Sequence, residues 1–113
     1  MPMTADYDDA RMVYVTCPDQ ATARTIAQAL VAHREAACVN IVPGLESVYR
    51  WQGSVETDPE VLLLIKTRAA RLAEVEARVG ALHPDELPEV VAVHLSDGSQ
   101  GYLDWLTQET TPK

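Results

Sequence analysis

Two cysteines, three histidines and 17 acidic side chains carry most of the chemistry open to this 113-residue sequence. Cys17 closes the stretch Val15-Thr16-Cys17-Pro18-Asp19, and His83 opens His83-Pro84-Asp85-Glu86-Leu87-Pro88-Glu89. A soft thiolate, an imidazole and the carboxylates Asp85, Glu86 and Glu89 are donors that suit Cu or Zn, and the neighbouring prolines stiffen the loop. His83, Cys17 and Glu86 are the metal candidates on this reading. The competing reading makes Cys17 a small buried hydrophobe and His83 a cation favoured by the negative end of a helix.

A second group of side chains suits ligand binding. Lys66 ends the apolar run Val61-Leu62-Leu63-Leu64-Ile65, where it either snorkels from a strand end or presents its charge to a small anion in a cleft between subunits. Tyr49 and Trp51 flank Arg50 and suit either interface packing or stacking on a planar ligand. Lys66, Tyr49 and Trp51 are therefore the ligand candidates. His33 is expected as a surface group at a helix end, His94 as a hydrogen-bonded interior or interface residue, and Cys38 as core.

Enzyme chemistry has little to work with. The sequence has no Ser/His/Asp pattern, no nucleophile elbow and no glycine-rich phosphate loop, so no catalytic residue and no organic cofactor are expected. A formal charge of -8 repels phosphate-rich polymers, which argues against a nucleic-acid partner. No apolar run approaches the ~20 residues that span a bilayer. With two scattered cysteines and no secretory leader, the expected compartment is the cytoplasm.

The elements that must position these residues follow from periodicity. Residues 1–9 carry Pro2 and three aspartates and are expected as a disordered tail; a single domain is expected over 10–107, with a short C-terminal tail over 108–113. Met12 to Thr16 reads as a strand, and Asp19 caps a helix whose Ala23, Ile26, Ala27 and Leu30 share one face. Ala37 to Gln52 reads as a long strand bent at Pro43-Gly44, and Gly53-Ser54 turns it into a third strand over Val55–Lys66, interrupted at Asp58-Pro59. Thr67 is placed to cap a second helix with Leu72, Val75, Val79 and Leu82 on one face and a Glu74/Arg78 pair elsewhere. Val90 to Leu95 makes a fourth strand, and Tyr102 to Leu106 a helix of one or two turns. This order is an α+β, ferredoxin-like split β-α-β sandwich with antiparallel strand order 4-1-3-2, which brings Cys17 toward the His83–Glu89 segment.

Two helices cover one face of such a sheet, yet Val61–Ile65 and Val90–Val93 are apolar at every position. Something must cover the second face. A second strand of about fifteen residues also runs roughly 50 Å, beyond the ~35 Å of a compact domain this size. Its hairpin overhangs, and pairing with sister chains in a closed ring relieves the exposed edge.

Six stretches, read together, resemble one known family. They are Val15-Thr16-Cys17-Pro18-Asp19, Ala36-Ala37-Cys38-Val39-Asn40-Ile41-Val42-Pro43-Gly44, Tyr49-Arg50-Trp51-Gln52-Gly53, Leu63-Leu64-Ile65-Lys66-Thr67, His83-Pro84-Asp85-Glu86-Leu87-Pro88-Glu89 and Tyr102-Leu103-Asp104-Trp105-Leu106. Together they look like the CutA, or divalent-cation-tolerance, family, in order from Val13 to Leu106. The resemblance implies a homotrimer built like the PII signalling proteins, with long hairpins interlocking between subunits. It also implies a role in the response to divalent metal ions, with Cu(II) bound in some members and His83 as the residue carried over. A PII-like trimer sensing a small anionic ligand at the intersubunit cleft is the alternative. Asp85 stands where the family commonly has Tyr, which either adds a carboxylate to a metal site or removes a stacking contact.

Overall fold

The computed structural model describes residues 9–112, so the expected N-terminal tail lies outside the described residues except for Asp9. The chain runs β1 (Ala10–Cys17), α1 (Gln20–Ala32), β2 (Cys38–Trp51), β3 (Ser54–Arg68), α2 (Leu72–Leu82), β4 (Val91–His94) and α3 (Gln100–Glu109), with a 3-10 turn, Ala69–Arg71, before α2. The strands form one sheet of order β2-β3-β1-β4 with every neighbour antiparallel. This is the expected split β-α-β arrangement.

Alternation along the strands divides the side chains between two faces. Val13, Val15 and Cys17 of β1 and Leu63 and Ile65 of β3 point toward the helices and are fully buried with Ile26, Leu30, Val75 and Val79. The four apolar positions expected on α1 are all buried, and the Asp19 carboxylate accepts the Thr22 N–H at 2.7 Å. On the opposite face α3 lies across the end of the sheet at Ala10 and Arg68. Its last carbonyls have no helical partner, and arginines supply one: Arg68 donates to the Thr110 carbonyl at 3.0 Å and Arg34 to that of Gln108 at 2.9 Å. α3 is thus ten residues rather than one or two turns, so it runs on into the stretch expected as tail, and Thr110 just beyond it is fully buried.

Three local expectations are corrected. Thr67 belongs to β3, where its hydroxyl donates to the buried Glu35 carbonyl at 2.6 Å, and α2 begins without a side-chain cap. Arg78 pairs with Glu35 through two bonds of 2.9 and 3.0 Å rather than with Glu74, because Glu35 is only 6% exposed and a buried carboxylate requires a partner. Asp58-Pro59 does not interrupt β3. β1 pairs only as far as Cys17↔Val61, so at Pro59 the strand has β2 alone as neighbour and the missing N–H has no ladder to break.

The hairpin projects from this body and gives the molecule its long dimension, 48 × 27 × 22 Å. Its tip turns on Gln52 and Gly53, both at positive φ (50° and 85°), one residue earlier than expected. That geometry matches the right-handed twist of the paired strands. At its base, Val42 pairs with Leu62 but Leu45 with Glu60, so Pro43 and Gly44 together oppose Val61 in a β-bulge, with Gly44 at φ 85°. The extra residue reverses the alternation of everything beyond it. Ser47, Tyr49 and Trp51 consequently point to the face opposite the helices, the same face as Thr16 and Leu62.

A carboxylate-lined cleft beside His83

The bulge determines where the candidate residues meet. Tyr49 and Trp51 on the hairpin and the Pro84–Glu89 segment on the other side enclose a cleft of about 850 Å³ on the face opposite the helices. Five carboxylates line it, Asp58 and Glu60 from β3 and Asp85, Glu86 and Glu89 from the loop, and no Lys, Arg or His is among its described lining residues. Thr16 and Pro18 supply its floor at the end of β1.

His83 holds the loop in place. Its side chain is fully buried, its Nε2 lies 2.7 Å from the Thr16 carbonyl, and its Nδ1 lies 3.0 Å from the Asp85 N–H. A carbonyl can only accept and an amide N–H can only donate, so Nε2 donates to Thr16 and Nδ1 accepts from Asp85. Both nitrogens are occupied. The expectation of a helix-end cation is replaced by a buried hydrogen-bonding clamp that ties the start of the loop to β1.

Tyr49 donates its hydroxyl to the Asp58 carboxylate across the hairpin. This bond, partial burial and the charges of Asp58, Glu56 and Glu60 push the phenol up to about 12, so Tyr49 remains a donor across the physiological range. Cys17 sits behind the cleft and faces the core. Burial, reinforced by the negative charges of Glu60, Asp19 and Asp85, raises its thiol to about 11. A thiol held in that form is a poor ligand, since metals take the thiolate.

The topology does bring Cys17, His83 and Glu86 to one end of the sheet, but it does not aim them at a common point. Cys17 faces the core, His83 spends both ring nitrogens on the backbone, and Glu86 faces the cleft. Among the described residues, no group of three or more His, Cys, Asp or Glu side chains is disposed to hold a metal ion. Within one chain the three metal candidates therefore do not fit as a ligand set. The ligand candidates divide as well: Tyr49 and Trp51 line the cleft, whereas Lys66 lies toward the other end of β3 with its Nζ 2.6 Å from Asn40 Oδ1. Glu56 pairs with Tyr49, and from Glu56 to Lys66 the strand covers about 33 Å. A single chain does not join Lys66 to the aromatics. Asp58 and Glu60, which complete the acidic lining, were missed because the expected break at Asp58-Pro59 hid their place on a continuous strand.

His33 closes α1 with its Nδ1 2.8 Å from the Ala29 carbonyl, His94 is exposed on the edge strand, and Cys38 is half-buried. No helix among the described residues is long and apolar enough to cross a membrane.

Fold and topology together define an α+β protein of the ferredoxin-like class. A family model described as CutA1 divalent ion tolerance protein matches residues 11–109. The divalent-cation tolerance protein CutA of Thermus thermophilus is 54% identical over 99 residues, 88% of this chain and 96% of that protein. Protein CutA, chloroplastic, of Arabidopsis thaliana is 46% identical over 99 residues, again 88% of this chain but 54% of that longer protein. The solved structure of a divalent cation tolerance protein from Thermus thermophilus superposes with a TM-score of 0.89 at 52% identity, covering 90% of this chain and 99% of that one. The chain belongs to the CutA1 divalent ion tolerance family.

Proposed function

We propose that the protein serves divalent-ion tolerance as a cytoplasmic homotrimer, its hairpins reaching across sister subunits, and that it binds divalent cations, copper among them, at the cleft beside His83. The observation that carries the site is the lining of five carboxylates with no compensating basic residue among the described ones. Negative potential in a recess concentrates cations. The trimer rests on the apolar sheet face left open by the helices, where Val91 and Val93 are 51% and 42% exposed. Two free cysteines are in keeping with a reducing compartment.

His83 has two ways to act in this reading. As it stands, it holds Asp85, and through it the loop, against β1. As a ligand for Cu(II) it would have to surrender either the Asp85 N–H or the Thr16 carbonyl, with oxygen donors from Glu86 or from a sister chain completing the set. Titrating Cu(II) and Zn(II) into the metal-free wild type, Glu86→Gln/Glu89→Gln and His83→Ala separates these roles. Weaker binding in the carboxylate variant is expected, and unchanged affinity there removes the cleft as the metal site. Equal affinity in His83→Ala removes His83 as a ligand while leaving the cleft intact.

A further inference from the structure

We infer that α3 is a strap fastened at its C-terminal end by Arg34, and that it lifts from the sheet without unfolding the rest of the chain. The first observation is the residue that ends α1. The Glu35 N–H donates to the Leu30 carbonyl at 2.9 Å and the Arg34 N–H to that of Val31 at 3.1 Å, the paired closing bonds of a helix that reverses through a left-handed residue. Glycine is the usual occupant of that position, because a side chain at positive φ is strained. Here it is Arg34, at φ 58°. Strain held at one residue points to a task for its side chain.

That task lies 74 and 77 positions away. Arg34 Nη2 donates to the Gln108 carbonyl at 2.9 Å and its Nε to the Thr111 carbonyl at 3.1 Å, while Arg71 Nε steadies the corner by donating to the carbonyl of Arg34 itself at 3.3 Å. Arg68 completes the fastening from β3, with its Nε 2.8 Å from Thr110 Oγ1 and its Nη2 3.0 Å from the Thr110 carbonyl. The apolar anchorage of α3 is small by comparison. It is ten residues long, starts without a side-chain cap, buries Leu103 and Leu106, and leaves Tyr102 and Trp105 42% and 39% exposed. A helix that short is marginal by itself, so the guanidinium bonds at its far end carry much of its seating. Segments held this lightly open before the core does. Val13, Val15, Leu63 and Ile65 lie on the other face, under α1 and α2, and keep their cover when α3 lifts.

Hydrogen exchange of the full-length protein, followed amide by amide at one protein concentration, tests this. In Arg34→Gly the amides of α3 are expected to exchange about tenfold or more faster, as the loss of two charge-assisted bonds implies. Core amides of β1 and β3 are expected to change less. They exchange only when the α1 corner itself unfolds, and glycine takes φ 58° without strain, which offsets the lost bonds for that larger opening. Arg34→Asn, which also tolerates positive φ, is expected to give the same pattern and keeps the test readable if glycine loosens the corner. Gln52→Gly relaxes the other non-glycine residue at positive φ among those described, at the hairpin tip, and is expected to leave α3 exchange within about twofold of wild type. An arginine that served only the end of α1 would leave α3 indifferent to its loss. Unchanged α3 exchange in both Arg34 variants, a rise in α3 no greater than that in the core, or an equal rise in Gln52→Gly would each overturn the inference.

Discussion

The two faces of the sheet are built from the same strands and both carry apolar side chains, yet only one is buried within the chain. Toward α1 and α2, Val13, Val15, Leu63 and Ile65 have no exposed surface, and the polar groups among them are matched, as Thr67 is with the Glu35 carbonyl and Glu35 with Arg78. On the other side α3 covers the Ala10 and Arg68 end, while Val42, Val91 and Val93 remain between 38% and 51% exposed. The exposed apolar area then passes at the hairpin into the acidic cleft. A strand interior without alternation leaves its second set of side chains uncovered by this chain, and the proposed trimer rests on that exposure.

The largest difference is expected from truncating one residue on each face. Leu63→Ala should cost about 2–5 kcal/mol by urea unfolding at any protein concentration, because its cavity lies wholly inside the chain. Leu64→Ala, its neighbour on the opposite face, should show a cost that grows as sister copies assemble, so that its midpoint shifts with protein concentration. A concentration-independent Leu64→Ala would break the comparison.

Alkaline pH probes the covered face next. The folded chain keeps the Cys17 proton to about 11, whereas the unfolded chain releases it near the ordinary value of 9.0. Stability is therefore full below pH 9.0 and falls as pH rises toward 11, by on the order of 1–3 kcal/mol. Cys17→Ala should flatten denaturant midpoints across that window. Thr67→Val, which keeps the shape but leaves the Glu35 carbonyl without its donor, should cost about 1–3 kcal/mol by the same assay. The smallest effect belongs to the exposed Asp19 cap, whose bonds to the Thr22 N–H hold its carboxyl below the usual carboxylate range. Its contribution is present above the unfolded carboxylate range and is lost as pH falls through the lowered folded value. Asp19→Asn should keep the cap and remove that acid dependence, as read by thermal unfolding in acid.

How much of this was legible in the sequence depends on whether the deciding contact is local. The α1 face, the Asp19 cap, the split β-α-β order and the bend at Pro43-Gly44 each rest on spacing within a few residues, and the structure has them all. Arg78 with Glu35 and Arg68 with Thr110 join residues 43 and 42 positions apart, and no local pattern foretells them. The same limit explains the end of α3, where arginines from other elements satisfy carbonyls that the sequence beyond Leu106 gives no apolar reason to continue. At the site, the sequence singled out the His83–Glu89 segment and the hairpin aromatics separately, and the fold places both along one cleft. The sequence did not reveal that the bulge reverses side-chain direction, nor that both nitrogens of His83 are taken by backbone groups. Those are matters of register and of hydrogen bonding across the fold.

Sedimentation equilibrium of the wild type in dilute buffer addresses the uncovered face most directly. A particle of three chains, converted toward single chains by a charge placed on that face in Val93→Asp, is the expected result. A stable, folded 12.4 kDa species that neither associates nor responds to Val93→Asp would contradict it.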